Sequence, residues 1–157
     1  MFDSTLAAVS IQRRAAAIAI FRKSHLEEVF TRQFPNDLRI AENRMIGFIR
    51  RVLDRSRVGL VTVETADTKS DRIRGLWQVA NEIFRAEGIP IQATASDILY
   101  NSFAVPPLRN RDQLRRIARS IWPQLDNRES GRVALDAAVL GLHTQTERLF
   151  TINSPQP

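Results

Sequence analysis

Short apolar runs separated by polar breaks occupy the first part of the chain. Residues 5–11 (TLAAVSI) and 15–21 (AAAIAIF) flank a three-residue polar break, a spacing typical of a β-hairpin. The segment 26–34 (LEEVFTRQF) places Phe30 and Phe34 on one face of an extended chain, which predicts a third strand. We therefore expect the chain to begin with an antiparallel meander of three strands.

Helical spacing of apolar residues alternates with short β-branched runs after residue 40. Gly88 is expected to end the second helix, and the dipeptide Pro106-Pro107 predicts a loop. The predicted order β-β-β-α-β-α-β-α-α indicates an α/β fold, with a mixed five-stranded sheet, the first three strands antiparallel and helices on both faces. The later predicted elements are helices 41–55, about 69–87, 111–121 and about 130–148, and strands 58–64 (VGLVTVE) and 89–94 (IPIQAT).

The composition is that of one globular domain. The 157 residues contain 43% apolar and 25% charged residues, and we expect one domain over 1–150 with a flexible tail over 151–157. The absence of cysteine excludes disulfides and thiolate metal sites. No apolar run approaches the roughly 20 residues that span a bilayer, and no basic region precedes the first apolar stretch. We expect a cytoplasmic protein with no membrane partner.

The net charge of +6 permits nucleic-acid binding but does not require it. Lysine occurs only at Lys23 and Lys69, so nearly all of the positive charge is arginine. The planar guanidinium matches phosphate geometry, which permits nucleic-acid binding. Ordinary solvated surfaces rich in arginine explain the charge equally well, and both interpretations stay open here.

Most catalytic signatures are missing, but two carboxylates stand out by position. Glu64 ends an otherwise apolar strand, where open α/β sheets place their ligands. Asp136 interrupts the apolar helix segment RVALDAAVLGLH, where an unpaired carboxylate would be costly. Structural explanations exist for both: Glu64 could face water at a strand end, and Asp136 could pair with Arg132 or interact with the helix dipole. Together they indicate a candidate divalent-metal site.

The chain resembles RuvC-type Holliday-junction resolvases of the ribonuclease-H-like superfamily over about residues 5–148. The resemblance rests on element order and on four segments: LAAVSIQRRAAAIAIF, VGLVTVE, SDRIRGLWQVANEIFRAEGIPI and LDAAVLGLHTQ. It implies that Glu64 and Asp136 are catalytic metal ligands for Mg²⁺ or Mn²⁺, in a site where two cations activate water against a phosphodiester. It also implies a nucleic-acid partner, with DNA favoured over RNA, and leaves a homodimer open.

The chain departs from the family at two acidic positions. The aspartate expected on the first strand falls on Ser10, and the second helical aspartate falls on Val133. Two closely spaced cations need several carboxylate oxygens, so we expect a two-metal site to be much weaker or absent. Asp67 and Asp71, after the fourth strand, are the best substitute acids, and Asp97 is a weaker one. Loop or N-cap roles explain Asp67 and Asp71 better.

Two groups of arginines are candidate phosphate contacts. Arg13 and Arg14 replace the glycine that the family tends to have in the first hairpin loop. A second group, in 109–119, includes a stripe at i, i+4 and i+8 opposite the apolar face of its helix. An ordinary solvated helix surface explains this stripe about equally well. The candidate nucleic-acid-binding residues are Arg13, Arg14, Arg109, Arg111, Arg115 and Arg119.

Three hypotheses for function remain at this stage. The first is a nucleic-acid-binding protein of RuvC-like fold with lost or reduced catalysis. The second is an active, divalent-metal-dependent endonuclease that uses Glu64 and Asp136 with a substitute acid. The third is a structural or protein-interaction domain, in which large apolar residues such as Trp122 and Phe103 face a partner.

Overall fold

A computed structural model describes residues 5–23, 25–65, 70–104, 106–127 and 130–153. Five strands form one mixed sheet in the order β3-β2-β1-β4-β5. Their bounds are β1 Thr5–Ile11, β2 Ala15–Arg22, β3 His25–Gln33, β4 Val58–Thr65 and β5 Ile91–Ala95. The first three strands are antiparallel, whereas β4 pairs in parallel with β1 and β5. The α/β fold with an antiparallel meander was therefore predicted correctly.

Helices cover both faces of the sheet. Their bounds are α1 Leu38–Arg55, α2 Asp71–Ala86, α3 Ser96–Ser102, α4 Arg111–Ile121 and α5 Gly131–Asn153, with a 3₁₀ helix over Pro123–Asn127. Alternate side chains of the strands enter two cores, because successive residues of a strand point to opposite faces. One core joins the sheet to α1 and α2, and the other joins it to α3, α4 and α5.

On the second face, α5 packs closely against β2. A Cβ placed on Gly141 would lie 2.2 Å from the ring of Phe21, which is itself fully buried. No side chain larger than hydrogen fits between this helix and the sheet without movement of the ring. Gly141 therefore sets the depth at which α5, the helix that carries Asp136, lies on the sheet.

The differences from the predicted elements have local causes. The helix α3 has only seven residues, too few for a helical period to be visible in the sequence. The strand β5 begins two residues later than predicted, because the amide of Ile89 instead donates to the carbonyl of Phe84 at the end of α2. The last helix continues to Asn153, so it includes three residues of the predicted tail, and residues 154–157 lie outside the described part. Among the described residues, no helix combines the length and apolar character needed to cross a bilayer.

Candidate functional site

The carboxyl ends of β1 and β4 form the centre of the site. Val9 and Val63 are paired in the parallel register, so Ser10 and Glu64, one residue later on each strand, lie on the same face. That face is covered by α5, since the Thr62 hydroxyl is hydrogen bonded to the Thr144 hydroxyl at 2.8 Å. Glu64 thus lies near the end of β4, the strand position that the sequence predicted, and on the sheet face that α5 covers.

Asp136 reaches the same strand ends from α5. Its side chain is buried, and its Oδ2 accepts a hydrogen bond from Nε2 of Gln12 at 2.9 Å. Gln12 immediately follows β1, so this bond ties the helix to the end of the central strand. One open groove of about 910 Å³ is lined by Ser10, Gln12, Glu64 and Asp136. Its opposite wall is formed by α2.

An arginine from α4 neutralises Glu64. Nη1 of Arg111 donates to Oε1 of Glu64 at 2.9 Å, and Nη2 donates to Oε2. The Ser96 hydroxyl, at the start of α3, also donates to Oε2. The Glu64 side chain is only 13% exposed to solvent, and the Arg111 side chain is 26% exposed. The contact is therefore a bidentate, largely desolvated ion pair.

A second arginine from α4 neutralises Asp136 in the same manner. Nε and Nη2 of Arg115 donate to Oδ1 and Oδ2 of Asp136, each at 2.9 Å. The exposed fractions are 14% for the arginine side chain and 5% for the aspartate side chain. This pair is the more deeply buried of the two, so removal of either partner leaves a charge that is shielded from water.

The sequence of α4 explains how these arginines reach the groove. Asn110 caps the helix through a hydrogen bond from the Gln113 amide to its Oδ1 at 3.0 Å, and Leu114 and Ala118 anchor it in the core. Arg111 and Arg115, four residues apart, therefore lie on one flank that faces the strand ends. The prediction treated this stripe as a surface for phosphate, but in the structure both guanidinium groups contact carboxylates of the same chain.

The third arginine of the stripe, Arg119, is also paired. Its Nε donates to Oδ1 of Asp126 in the 3₁₀ helix at 3.0 Å, and both side chains are about half exposed. Arg109 is exposed just before α4, and its backbone amide donates to Oε1 of Gln113. The structure thus gives a carboxylate partner to every member of the i, i+4, i+8 stripe, whereas no described carboxylate forms an ion pair with Arg109.

The environment of Arg111 keeps it charged. Burial lowers the pKa of its guanidinium, but the hydrogen bond and charge of Glu64, with smaller contributions from Asp136 and Tyr100, outweigh burial and raise the pKa above its ordinary value. Its guanidinium also lies over the Tyr100 ring, 5.6 Å from the ring centre. The positive charge at the end of β4 is therefore permanent under any practical condition.

The donor set does not fit a two-metal site. All four carboxylate oxygens of Glu64 and Asp136 accept hydrogen bonds from guanidinium groups. Within the described ranges, no group of three or more histidine, cysteine, aspartate or glutamate residues could hold a metal ion. Ser10 supplies a neutral hydroxyl, and Val133 is a buried residue of the α5 core. Hard divalent cations need more free carboxylate oxygens than this arrangement offers.

The two substitute acids that the structure describes, Asp71 and Asp97, form other contacts. Asp71 is exposed at the first position of α2 and forms an ion pair with Arg74 three residues later. Asp97 is exposed in the first turn of α3, where its Oδ1 accepts a hydrogen bond from the Ile98 amide. Asp67 lies outside the described residues. Neither described candidate is among the residues that line the groove.

The hairpin loop that carries Arg13 and Arg14 is held by a residue that the sequence analysis missed. Arg72 of α2 donates to three backbone carbonyls, those of Arg13 at 2.7 Å and of Asn36 and Pro35 at 2.6 Å each. Both loop arginines remain exposed beside the groove. No sequence signal distinguishes Arg72 from other helix-surface arginines, because its partners are carbonyls from two separate loops.

Comparison with known proteins identifies the fold. No family model and no curated protein matches this sequence. The structure superposes on Thermus thermophilus RuvC with a TM-score of 0.74 and 13% identity, over 94% of this chain and 97% of RuvC. The same RuvC in complex with Holliday junction substrate gives 0.72 and 14%, over 94% and 97%. The yeast mitochondrial Holliday junction resolvase gives 0.67 and 10%, over 96% of this chain and 85% of the yeast chain. The chain therefore has the RuvC-like resolvase fold that the sequence predicted.

Proposed function

We propose that the chain is a nucleic-acid-binding protein built on the RuvC-like fold, in which two arginine–carboxylate pairs replace the metal site and nuclease activity is lost or much reduced. One observation carries this proposal: every carboxylate oxygen of Glu64 and Asp136 is bound by Arg111 or Arg115. Glu64 of β4 and Asp136 of α5 both line the groove, but their charge is already balanced within the chain.

An arginine replaces the charge of a metal ion but not its chemistry. A bound divalent cation can coordinate water and lower the pKa of that water toward neutrality, which supplies the nucleophile for hydrolysis. A guanidinium has no vacant coordination position, and it loses its proton only above about pH 12. Arg111 and Arg115 can therefore orient and neutralise groups in the groove, but they cannot activate a water molecule for attack on a phosphodiester.

The neutral ion pairs also reduce the electrostatic repulsion between the groove and phosphate. Two bare carboxylates without metal would repel a polyanion, whereas paired carboxylates contribute little net field. Arg13 and Arg14, exposed beside the same strand ends, then supply the contacts expected to bind the backbone. Because one similar structure is RuvC in complex with Holliday junction substrate, a four-way DNA junction is the first ligand to test.

The test is a fluorescence-anisotropy titration of a labelled four-way junction, with linear duplex and single-stranded DNA as controls, repeated across salt concentrations. Binding through phosphate contacts should weaken steeply as salt rises. An Arg13→Ala/Arg14→Ala variant should lower the slope of log K against log salt by about 1.8, since each phosphate contact contributes about 0.9. Arg50→Ala/Arg57→Ala is the matched control, because both residues are exposed and Arg57 precedes β4, at the opposite end of that strand from Glu64.

The outcomes separate the three candidate functions. Salt-dependent binding that the loop variant weakens and the control does not would support the proposal. Metal-dependent cutting of the junction would favour the active endonuclease and contradict the loss of catalysis. No binding to any nucleic acid would favour a protein-interaction domain.

A further inference from the structure

A second group of arginines lies on the opposite edge of the sheet from β5. The strand β3 is an edge strand of the sheet, and α1 packs beside it. Between them lies a shallow pocket of about 170 Å³. We call the three basic residues in its lining, Arg32 of β3 and Arg44 and Arg51 of α1, the β3 margin.

The β3 margin is continuous with the hairpin loop. A neighbouring hollow of about 380 Å³ is also lined by Arg32 and Arg44 and extends to Ser130. Ser130 in turn lines a third hollow, of about 720 Å³, that contains Arg14 and Arg132. Residues shared between neighbouring hollows therefore connect the margin to Arg14, one of the two arginines proposed to bind phosphate beside the groove.

The described residues of this surface carry more positive than negative charge. Among the residues that the structure describes, no acidic residue lines the first two hollows, and the acidic residue lining the third, Asp126, is paired with Arg119. Within the part of the chain that the structure describes, no ion pair involves Arg32, Arg44 or Arg51. Several unpaired guanidinium groups on one surface are suited to a polyanion with regularly spaced phosphates.

A glycine in the same pocket leaves the helix backbone open. Gly47 lies in the interior of α1 between Arg44 and Arg51, and a Cβ at this position would meet nothing within 4 Å. Packing therefore does not require glycine, although glycine in a helix interior costs stability relative to alanine. A bare backbone between two arginines on the same helix face permits the close approach of an extended ligand.

The competing explanation of these arginines is protection of an exposed sheet edge. Charged side chains on an edge strand prevent it from pairing with another chain, and Arg32 of β3 fits this role. Arg44 and Arg51 do not, because they lie on α1 and not on the edge strand. Their seven-residue spacing places them on the same face of the helix, directed toward the pocket beside β3.

We propose that the β3 margin binds the phosphate backbone of a second nucleic-acid segment, so that the chain holds two segments, one beside the groove and one beside β3. This inference rests on the proposed nucleic-acid binding and extends it to a separate surface. A branched DNA, whose arms leave the branch point in different directions, could contact both surfaces of one molecule. A linear duplex of the same length would contact them less completely.

The test compares two pairs of substitutions from the same region of the chain. Arg44→Gln/Arg51→Gln removes two charges from the margin, whereas Arg50→Gln/Arg57→Gln removes two exposed charges away from it. Both variants should keep wild-type circular dichroism, because all four side chains are exposed. The margin variant should bind a four-way junction about tenfold more weakly than wild type at moderate salt, with a slope reduced by about 1.8, and the control variant should change by less than half of this.

Each result either supports the inference or overturns it. Equal affinity and salt slope in the margin and control variants would overturn it, and this result would also follow if the margin bound an acidic protein instead. If the Arg13→Ala/Arg14→Ala variant weakens binding and the margin variant does not, only the second surface is wrong. If the margin variant alone weakens binding, the second surface stands and the location proposed for the first is wrong.

Discussion

Arg111 and Arg115 on α4 and Arg44 and Arg51 on α1 are the same residue type, placed in each case on one face of a helix. The first two are directed to the strand ends and are paired with buried carboxylates. The second two face a pocket whose lining, over the described part of the chain, contains no acidic residue. Regular spacing of arginines therefore does not distinguish a binding surface from an internal ion-pair network; the carboxylates that the fold brings near them decide the role.

The largest expected effect concerns the stability of the paired region. Arg115→Ala should lower the free energy of unfolding by about 3 kcal/mol, because it leaves Asp136 buried without a charged partner. Arg44→Ala, the matched change at the margin, should stay within about 0.5 kcal/mol of wild type. Chemical denaturation of both variants measures the difference. Equal stabilities would mean that the Arg115–Asp136 pair is not buried as described.

Two helical glycines give the next largest contrast. Gly141→Ala should destabilise the fold by about 2 kcal/mol, because the new Cβ would lie 2.2 Å from the ring of Phe21. Gly47→Ala should stabilise it by about 0.5 to 1 kcal/mol, since its Cβ would meet nothing within 4 Å. Thermal unfolding should therefore move the two variants in opposite directions. A shift of the same sign in both would contradict the difference in packing between α5 and α1.

A smaller effect is expected on binding when one acid is neutralised. Asp136→Asn should leave nucleic-acid affinity intact or raise it a few-fold, because it removes a negative charge and releases Arg115 toward the groove. The measurement is a junction titration at a temperature where circular dichroism shows the variant to be folded. A clear loss of affinity in the folded variant would indicate that the carboxylate takes part in binding, which the proposed function does not allow.

The smallest expected effect is the response of the Arg111–Glu64 pair to alkaline pH. The pKa of Arg111 is raised above its ordinary value, so its contribution to stability is fully present below the pKa of an unfolded arginine and is lost only above that range. The difference in unfolding free energy between wild type and Arg111→Gln should therefore be constant from about pH 7 to about pH 10. A difference that shrinks over this interval would show that Arg111 titrates there.

The fold could be predicted because its strands and long helices carry their own patterns. The meander, the strand that contains Glu64 and the helix interrupted by Asp136 are all visible as runs or periods of apolar residues. Residue identities also singled out Glu64 near the end of a strand and Asp136 within the last helix. Their partners could not be found in this way, because Glu64 and Arg111 are 47 positions apart, and Asp136 and Gln12 are 124 apart. Such contacts depend on tertiary packing, which local sequence patterns do not predict.

The most direct measurement of the central claim is a cleavage gel. A labelled four-way junction is incubated with the protein in Mg²⁺ or Mn²⁺, beside duplex and single-stranded controls and a Glu64→Gln variant. If the metal site is lost, the native gel should show a shifted junction band, and the denaturing gel should show uncut DNA strands. Both results should hold with either metal and with either form of the protein. Cleavage by the wild type that Glu64→Gln abolishes would contradict the account, since it would show that Glu64 exchanges Arg111 for a metal ion when DNA is bound.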